Sequence, residues 1–514
     1  MHFKLKIYNL TIIGLVTLFN LITLFSQSPS NSWIVGYGQN STTVPKFGKT
    51  ELKFNTGSLE MTYNSEQENA KTDLINTSIG DEGGNLLLFT EGLNIYGFDQ
   101  SIIENGDGIN PGEVRNDFSP QYYPTATNHV FLTSPVSRNE YYLIHMTLDY
   151  IKDSSDTIRS FKAIKLLYTK IFVDGLTKKG KVLIKNETIL TGEFVNSHLA
   201  YCKHANGRDW WIVVEEYNSS KHLIFLLSKN GIKLHSTQDI GSSGGLYDWS
   251  GNSIFSPDGG KFIKYAYDYF IQIFDFDRCM GKFSNPIILQ NSNLLNYKES
   301  SIAISPDSRF LYVSNYNRIW QFDLYSSDIS KSIDTIGYWD GFLFDTIFST
   351  AFYQLALADD DKIYLSCYSS NIFLHRINNP NGKGVNCNFK LRDIELPAWM
   401  IGGLPIMPNF KLGEVSGSNC DSLTSNRDFN PIKSFIISPN PANGELKIVN
   451  LNSGNSEALK IEVLDISAKV KISRILFPYQ NQWNFDLSFL SPGLYFIQFY
   501  KDHRLIQSNK WILN

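Results

Sequence analysis

From residue 33 to about residue 412 the chain alternates short apolar runs with clusters of Gly, Asn, Asp and Pro. That is the signature of strands closed by turns. Clear examples are 85–89, 141–146, 210–214, 223–227, 270–274, 310–314 and 363–366. No stretch sustains the 3.6-residue period of a multi-turn helix between a capping residue and a terminal Gly. The pattern also repeats. Phe255, Ser256, Pro257, Asp258, Gly259, Gly260, Lys261, Phe262 returns as Ile304, Ser305, Pro306, Asp307, Ser308, Arg309, Phe310, Leu311, an offset of 49 residues. A degenerate third copy, Leu357, Ala358, Asp359, Asp360, Asp361, Lys362, Ile363, Tyr364, follows 53 residues later. In each copy a polar turn joins two strands, and a third strand follows at 271–276, 319–324 or 372–377. A period near 50 with several strands per unit predicts a β-propeller, because one blade cannot bury both its faces and must stack on neighbours. At roughly 50 to 55 residues per blade, 33–412 holds about seven blades; six or eight are compatible.

Composition agrees with an all-β chain. Aromatic residues make up 14%, with 27 Tyr and 35 Phe, and charged residues only 19% against the usual roughly 25%. The 514 residues allow about two to five domains. Net charge is −4, so no strong basic field exists to hold a nucleic-acid backbone, and nucleic acid leaves the list of partners.

Several stretches carry a resemblance. Gly83, Gly84, Asn85, Leu86, Leu87, Leu88, Phe89, Thr90, Glu91, Gly92, with Asn105, Gly106, Asp107, Gly108, resembles the opening blade of secreted Bacteroidetes proteins with WD40- or YVTN-like propellers. Asp277, Arg278, Cys279, Met280, Gly281 and the run from Ile401 through Pro405, Pro408 and Phe410 to Gly413 match the same set. That resemblance implies a scaffold rather than a reaction. Residues 413–433 turn to Ser, Asn, Asp and Gly and read as a linker. Beyond it, Ser438, Pro439, Asn440, Pro441, Ala442, then the alternating Leu446 and Ile448, then Ile461, Val463 and Leu464, then Pro492, Gly493, Leu494, Tyr495, Phe496, Ile497 resemble the type A C-terminal sorting domain of type IX secretion. The resemblance implies that residues 434–514 form a small β-sandwich, have the secretion machinery as their partner, and direct export across the outer membrane. Ala468 departs from it where the family usually has Gly.

Residues 1–26 read as a secretory signal: Lys4 and Lys6 precede an apolar run from Leu10 to Phe25, and Ser26 offers a small residue for cleavage. The run is short for a membrane anchor, so no stable membrane span is expected after processing. An oxidising compartment follows, secreted or at the outer-membrane surface. There the five cysteines, at 202, 279, 367, 387 and 420, can form two bridges in 15 ways. Cys387 with Cys420 is the pair expected first, since both flank the last blade and its exit. Closure of the ring is expected from residues 33–37 pairing with a strand near 405–412 or 391–396, which would leave no sheet edge open.

Candidate chemistry is sparse. Gly241, Ser242, Ser243, Gly244, Gly245 spells G-x-S-x-G, but the string lacks the strand-to-helix context of a nucleophile elbow. The nine histidines show no zinc spacing; His198 and His204 could meet a metal only on a bent loop. Asn105, Asp107, Asn110 and Glu113 supply hard oxygen atoms on a Gly-rich turn, as Ca²⁺ requires, without EF-hand spacing. Asp359, Asp360 and Asp361 form a second acidic turn. Among the aromatic clusters, neighbours such as Trp210 and Trp211 point to opposite faces of a strand and feed the core, whereas Tyr338 and Trp339, beside Asp340 and Gly341, have the better claim to a binding surface. The resulting expectation is a non-enzymatic scaffold that binds an extracellular protein or glycan. The alternative is a lactonase- or glycan-lyase-like propeller with catalytic groups at the channel.

Overall fold

The computed structural model describes residues 29–514 except 38–46, 56–57, 65–76, 82, 121–122, 125–128, 152–160, 244–250, 267–269, 290–300, 419, 421–434, 451–458, 467–468, 477–479, 481 and 502–503. The signal segment, most of the linker, Gly244, Gly245 and Ala468 lie outside the described residues. The chain divides into two compact units, 1–422 and 423–514.

Besides a two-stranded hairpin at 343–349, seven antiparallel sheets of three or four strands follow one another in the first unit among the described residues, and these seven are the blades. Blades 1 (32–64) and 2 (77–97) have three strands; blades 3 (129–194), 4 (200–239), 5 (251–289), 6 (301–338) and 7 (352–400) have four, paired in chain order. Apolar side chains from neighbouring blades share a cluster at every gap: Ile34 with Phe89, Leu88 with Phe131, Ile144 with Trp210, Trp211 with Phe274, Ile273 with Ile302 and Tyr312 with Phe352. Trp33, Leu52 and Phe54 of blade 1 pack on Tyr364, Leu374 and Met400 of blade 7, which closes the ring. Strands such as Leu86–Thr90, Trp210–Glu215, Phe310–Ser314 and Ile363–Cys367 are thereby buried on both faces, while outer strands such as Gly231–Asp239 stay largely exposed; this burial is the dominant stabilising term in a fold of this kind. Trp210 and Trp211 show the mechanism: adjacent on one strand, they face opposite ways and are buried in two different gaps.

Closure differs from expectation. Residues 33–37 form no ladder with the last blade; Ser32–Tyr37 pairs with Gly48–Asn55 of its own sheet. The reason lies in blade 7, where Phe389–Met400 already supplies the fourth strand. Residues 401–407 nevertheless reach the seam. Ile401 donates its N–H to the Gly36 carbonyl at 3.3 Å, and Leu404 and Met407 pack on the Trp33 cluster.

The second unit holds a three-stranded sheet (Phe435–Ser438, Glu445–Asn450, Gln482–Asp486) and a four-stranded sheet (Val470–Leu476, Leu459–Asp465, Gly493–Lys501, Arg504–Leu513). Tyr495, Ile497 and Phe499 alternate inward along one strand as their spacing predicts, and meet Phe435, Ile448, Ile461 and Trp511 in a separate core. Phe435 and Phe499 stack at 4.4 Å.

Candidate functional site

The first strands of blades 4 to 7 line a central channel and end in the turns that carry the sequence repeat. In two copies a serine hydroxyl meets the aspartate two residues on, Ser256 to Asp258 and Ser305 to Asp307, both at 2.5 Å. The same aspartates accept the N–H groups of Gly260 and Arg309. Gly259, Ser308 and Asp361 occupy equivalent places with φ of 73°, 63° and 62°. The third copy keeps the left-handed turn and substitutes Tyr364 and Lys362 as partners of Asp360.

Residues 401–418, with Cys420, form a strap over this turn-bearing mouth. Leu404 donates to Gln354 near the start of the inner strand of blade 7. The Tyr201 hydroxyl donates to the Ile406 carbonyl, Asn409 donates to the Pro257 carbonyl at 2.7 Å, and Phe410 meets Trp210 edge-on. Arg278 then gathers the strap and blade 4: its guanidinium donates to the carbonyls of Lys203, His204 and Gly413. Val415 donates to Ala205, and the strap ends in a disulfide between Cys420 and Cys279, Cα atoms 5.6 Å apart. The expected Cys387–Cys420 bridge is therefore incorrect. Cys387 is a free thiol sealed in the gap between blades 6 and 7, and burial pushes it up to about 11. The strap carries Cys420 to blade 5 instead. The motif Asp277 to Gly281 now has a chemistry: Asp277 accepts the N–H groups of Cys279 and Met280, Arg278 is the hub, Cys279 the bridge. At Gly281, φ is 60° and a Cβ would lie 2.7 Å from the Trp211 ring.

Enclosed by strap and inner strands is a cavity of about 210 Å³. Its walls are mostly apolar, with Ser253 and Cys202 among them and Asp359, Asp361 and Lys411 near the rim. Burial pushes the Cys202 thiol up to about 12. The Asp359 to Asp361 turn, read from sequence as an acidic hairpin, thus borders a channel.

The opposite mouth carries the loops between blades. Between blades 6 and 7, Leu343–Phe344 pairs with Phe348–Ser349 in a short hairpin. Tyr338 is 60% exposed, Phe342 42%, Leu343 41% and Ile347 73%. Trp339, expected beside Tyr338 as a surface ring, is half-buried: its indole donates to the Thr350 hydroxyl at 3.2 Å and its ring contacts Tyr316. Tyr368, 43% exposed, adjoins Tyr316 at 5.0 Å and extends the aromatic surface. Arg318 lies over Tyr338, Arg392 over Phe342, and Arg392 pairs with Asp340.

The four oxygen-bearing residues proposed for Ca²⁺ separate. Asn110 is fully buried, its carbonyl accepting from His145 Nδ1 at 2.6 Å and its amide donating to His129 Nε2 at 2.7 Å. Asp107 is exposed beside Lys185, Asn105 is exposed at a left-handed turn position, and Glu113 sits exposed in the first turn of the helix Glu113–Phe118. Asn110 instead anchors the loop, and burial holds His129 down to about 3 and His145 well below its ordinary value. His198 and His204 flank opposite ends of the strand Ala200–Lys203 and serve different partners, Glu215 and Asn206. Ser243 lies in a loop followed by the strand Gly251–Phe255. Among the described residues no three or more His, Cys, Asp or Glu are grouped to hold a metal, and no helix is long and apolar enough to cross a membrane.

Sequence reading missed two buried charge sites. Lys264, fully buried in blade 5, donates to Glu215 of blade 4 at 2.5 Å, with His198 on the other carboxylate oxygen. Although burial opposes it, Lys264 and His198 hold the Glu215 carboxyl below the usual range. Glu91 is buried between Tyr96 and Asn94, and burial raises it to about 7. A lone Glu or Lys within a strand carries no signal of its partner, which comes from the neighbouring blade or a turn.

Residues 437–514 match the family described as secretion system C-terminal sorting domain. The chain is thus a β-propeller with a type IX sorting domain at its C-terminus, and export to the cell surface or beyond follows. No curated protein matches the chain. Among solved structures it is similar to a functionally unknown protein from Desulfotomaculum acetoxidans, at 14% identity over 74% of this chain and 100% of that one, with a TM-score of 0.34. It is similar to the Cps50 (Swd1) β-propeller domain of Myceliophteria thermophila, at 9% identity over 62% and 87% with a TM-score of 0.35. TolB of Acinetobacter baumannii matches at 9% identity over 77% and 74%, TM-score 0.30. Likenesses this remote say nothing about activity.

Proposed function

We propose that the protein is an exported scaffold that binds an extracellular protein or glycan without transforming it, through the aromatic face around residues 338–349. One observation carries the reading: four large apolar side chains, Tyr338, Phe342, Leu343 and Ile347, stand exposed on one loop, while Trp339 roots that loop in the gap between blades 6 and 7. A contiguous exposed apolar patch on a rigid base is characteristic of interaction surfaces. Tyr338 and Tyr368 add hydroxyls that can hydrogen-bond a polar partner while their rings stack.

The test is a photo-crosslinking residue placed at Ile347 in the exported chain, with the same residue at Leu176, a 95% exposed position in blade 3, as control. A discrete adduct from position 347 alone, abolished by Tyr338→Ala with Phe342→Ala, is the expected result. Equal labelling from both positions, or none from 347, would contradict the reading.

A further inference from the structure

The cavity at the strap-covered mouth lies at the other end of the channel from the aromatic face. Its walls include Ile254, Ile302, Leu355 and Met407. Against that apolar lining stand hydrogen-bond acceptors that lack donors. Ser253 is 4% exposed and its hydroxyl has no partner. Asp359 accepts the Ser30 hydroxyl on Oδ1 at 2.7 Å, but its buried Oδ2 accepts no hydrogen bond. Lys411 Nζ lies 3.2 Å from that oxygen, an ion pair without hydrogen-bond geometry. Asp361 adds a second carboxylate at the rim.

A buried acceptor without a donor costs about 1–3 kcal/mol, so such groups mark places where a donor is expected. In the repeat, Ser253 corresponds to Leu355, four residues before Asp359. The strand ends at Leu357 and Asp359 lies in the turn beyond it, so at about 3.3 Å per residue the two acceptors are at most roughly 13 Å apart along the channel. From these placements we infer that the cavity binds a small aliphatic amine, its ammonium on Asp359, its chain along the apolar wall and a hydroxyl-type end reaching toward Ser253. Lys411 shows that the carboxylate suits an ammonium on an alkyl stem. It is 53% exposed and otherwise holds only a long hydrogen bond to the Asp359 carbonyl at 3.4 Å, so it acts as an internal competitor that an incoming ammonium can displace.

The probe is 6-amino-1-hexanol, titrated calorimetrically into the full exported chain, with 1,6-hexanediol and 6-hydroxyhexanoate as comparisons. The amino alcohol is expected to bind saturably, at least tenfold more tightly than either comparison. Asp359→Asn should weaken it tenfold or more and Ser253→Ala several-fold. Lys411→Met should tighten it several-fold, a gain that a merely structural role for Lys411 would not produce. No saturable binding, equal binding of the diol, or weaker binding by the Lys411→Met chain with its Cys279–Cys420 bridge intact would overturn the inference.

Discussion

Buried titratable side chains set how this molecule responds to pH. His129, His145 and His375 are neutral in the fold: burial lowers His129 to about 3, His375 to about 4 and His145 well below its ordinary 6.5. A lowered histidine contributes stability above the unfolded value and loses it as pH falls toward the folded one, because the unfolded chain binds the proton first. Glu215 has the same sign below about 4.5, being held below its ordinary range. Glu91 opposes them, since a carboxyl raised to about 7 favours the fold less as pH climbs from 4.5. The three histidines outweigh it, so thermal stability should decline steadily from pH 6.5 to 4, and His375→Gln should flatten that slope; a Tm independent of pH over this window would contradict the assignment. Lys264 gives a second test. Lys264→Met strands the buried Glu215 carboxylate and should cost about 3–5 kcal/mol in chemical unfolding, while Glu215→Leu added to it should restore most of the loss. A double variant no more stable than the single would show that the pair is not the source. At this scale the sequence was partly legible. Ser256, Asp258, Ser305 and Asp307 announce their turns because the hydrogen bonds are local; Lys264 and Glu215, 49 residues apart, announce nothing.

Among elements, the strap decides what the periodicity left open. The blade count follows from the repeat period divided into 33–412, although only blades 5, 6 and 7 carry the turn motif. The Cys387–Cys420 expectation failed because proximity along the chain does not survive a segment that crosses the channel: Arg278 and Ala205 draw residues 413–415 to blades 4 and 5. The motif from Ile401 to Gly413 was visible as a resemblance, and only its contacts with Gln354, Tyr201 and Pro257 disclose its task. The Cys279–Cys420 bridge closes a separation of 141 residues, and constraint of the unfolded chain at that length is worth on the order of 4–5 kcal/mol. Non-reducing peptide maps should show the 279–420 link with Cys387 as a free thiol, and Cys279→Ser with Cys420→Ser should lower Tm by several degrees. A linked Cys387, or an unchanged Tm, would contradict the strap's role.

At the level of the whole molecule, two cores divide the labour. The ring buries its apolar surface between seven blades, and the last 92 residues form a unit with a core of their own around Ile461, Ile497 and Trp511. The sorting domain was readable because its strands alternate cleanly and its Pro and Gly punctuation is local. The proposed binding face was half readable: Tyr338 is exposed as its loop position suggested, but Trp339 turns inward, and Ile347 and Tyr368 enter the surface only through the packing of neighbouring blades. Separate cores also mean that the tail can be removed without unravelling the ring. The most direct test of an exported propeller addressed by its tail is therefore to express the chain without residues 423–514 and follow its location and folding. The truncated protein should be retained inside the cell envelope, with the Tm of its propeller transition and its Cys279–Cys420 bridge unchanged. Delivery of the truncated chain to the surface or medium at the full-length level would contradict it.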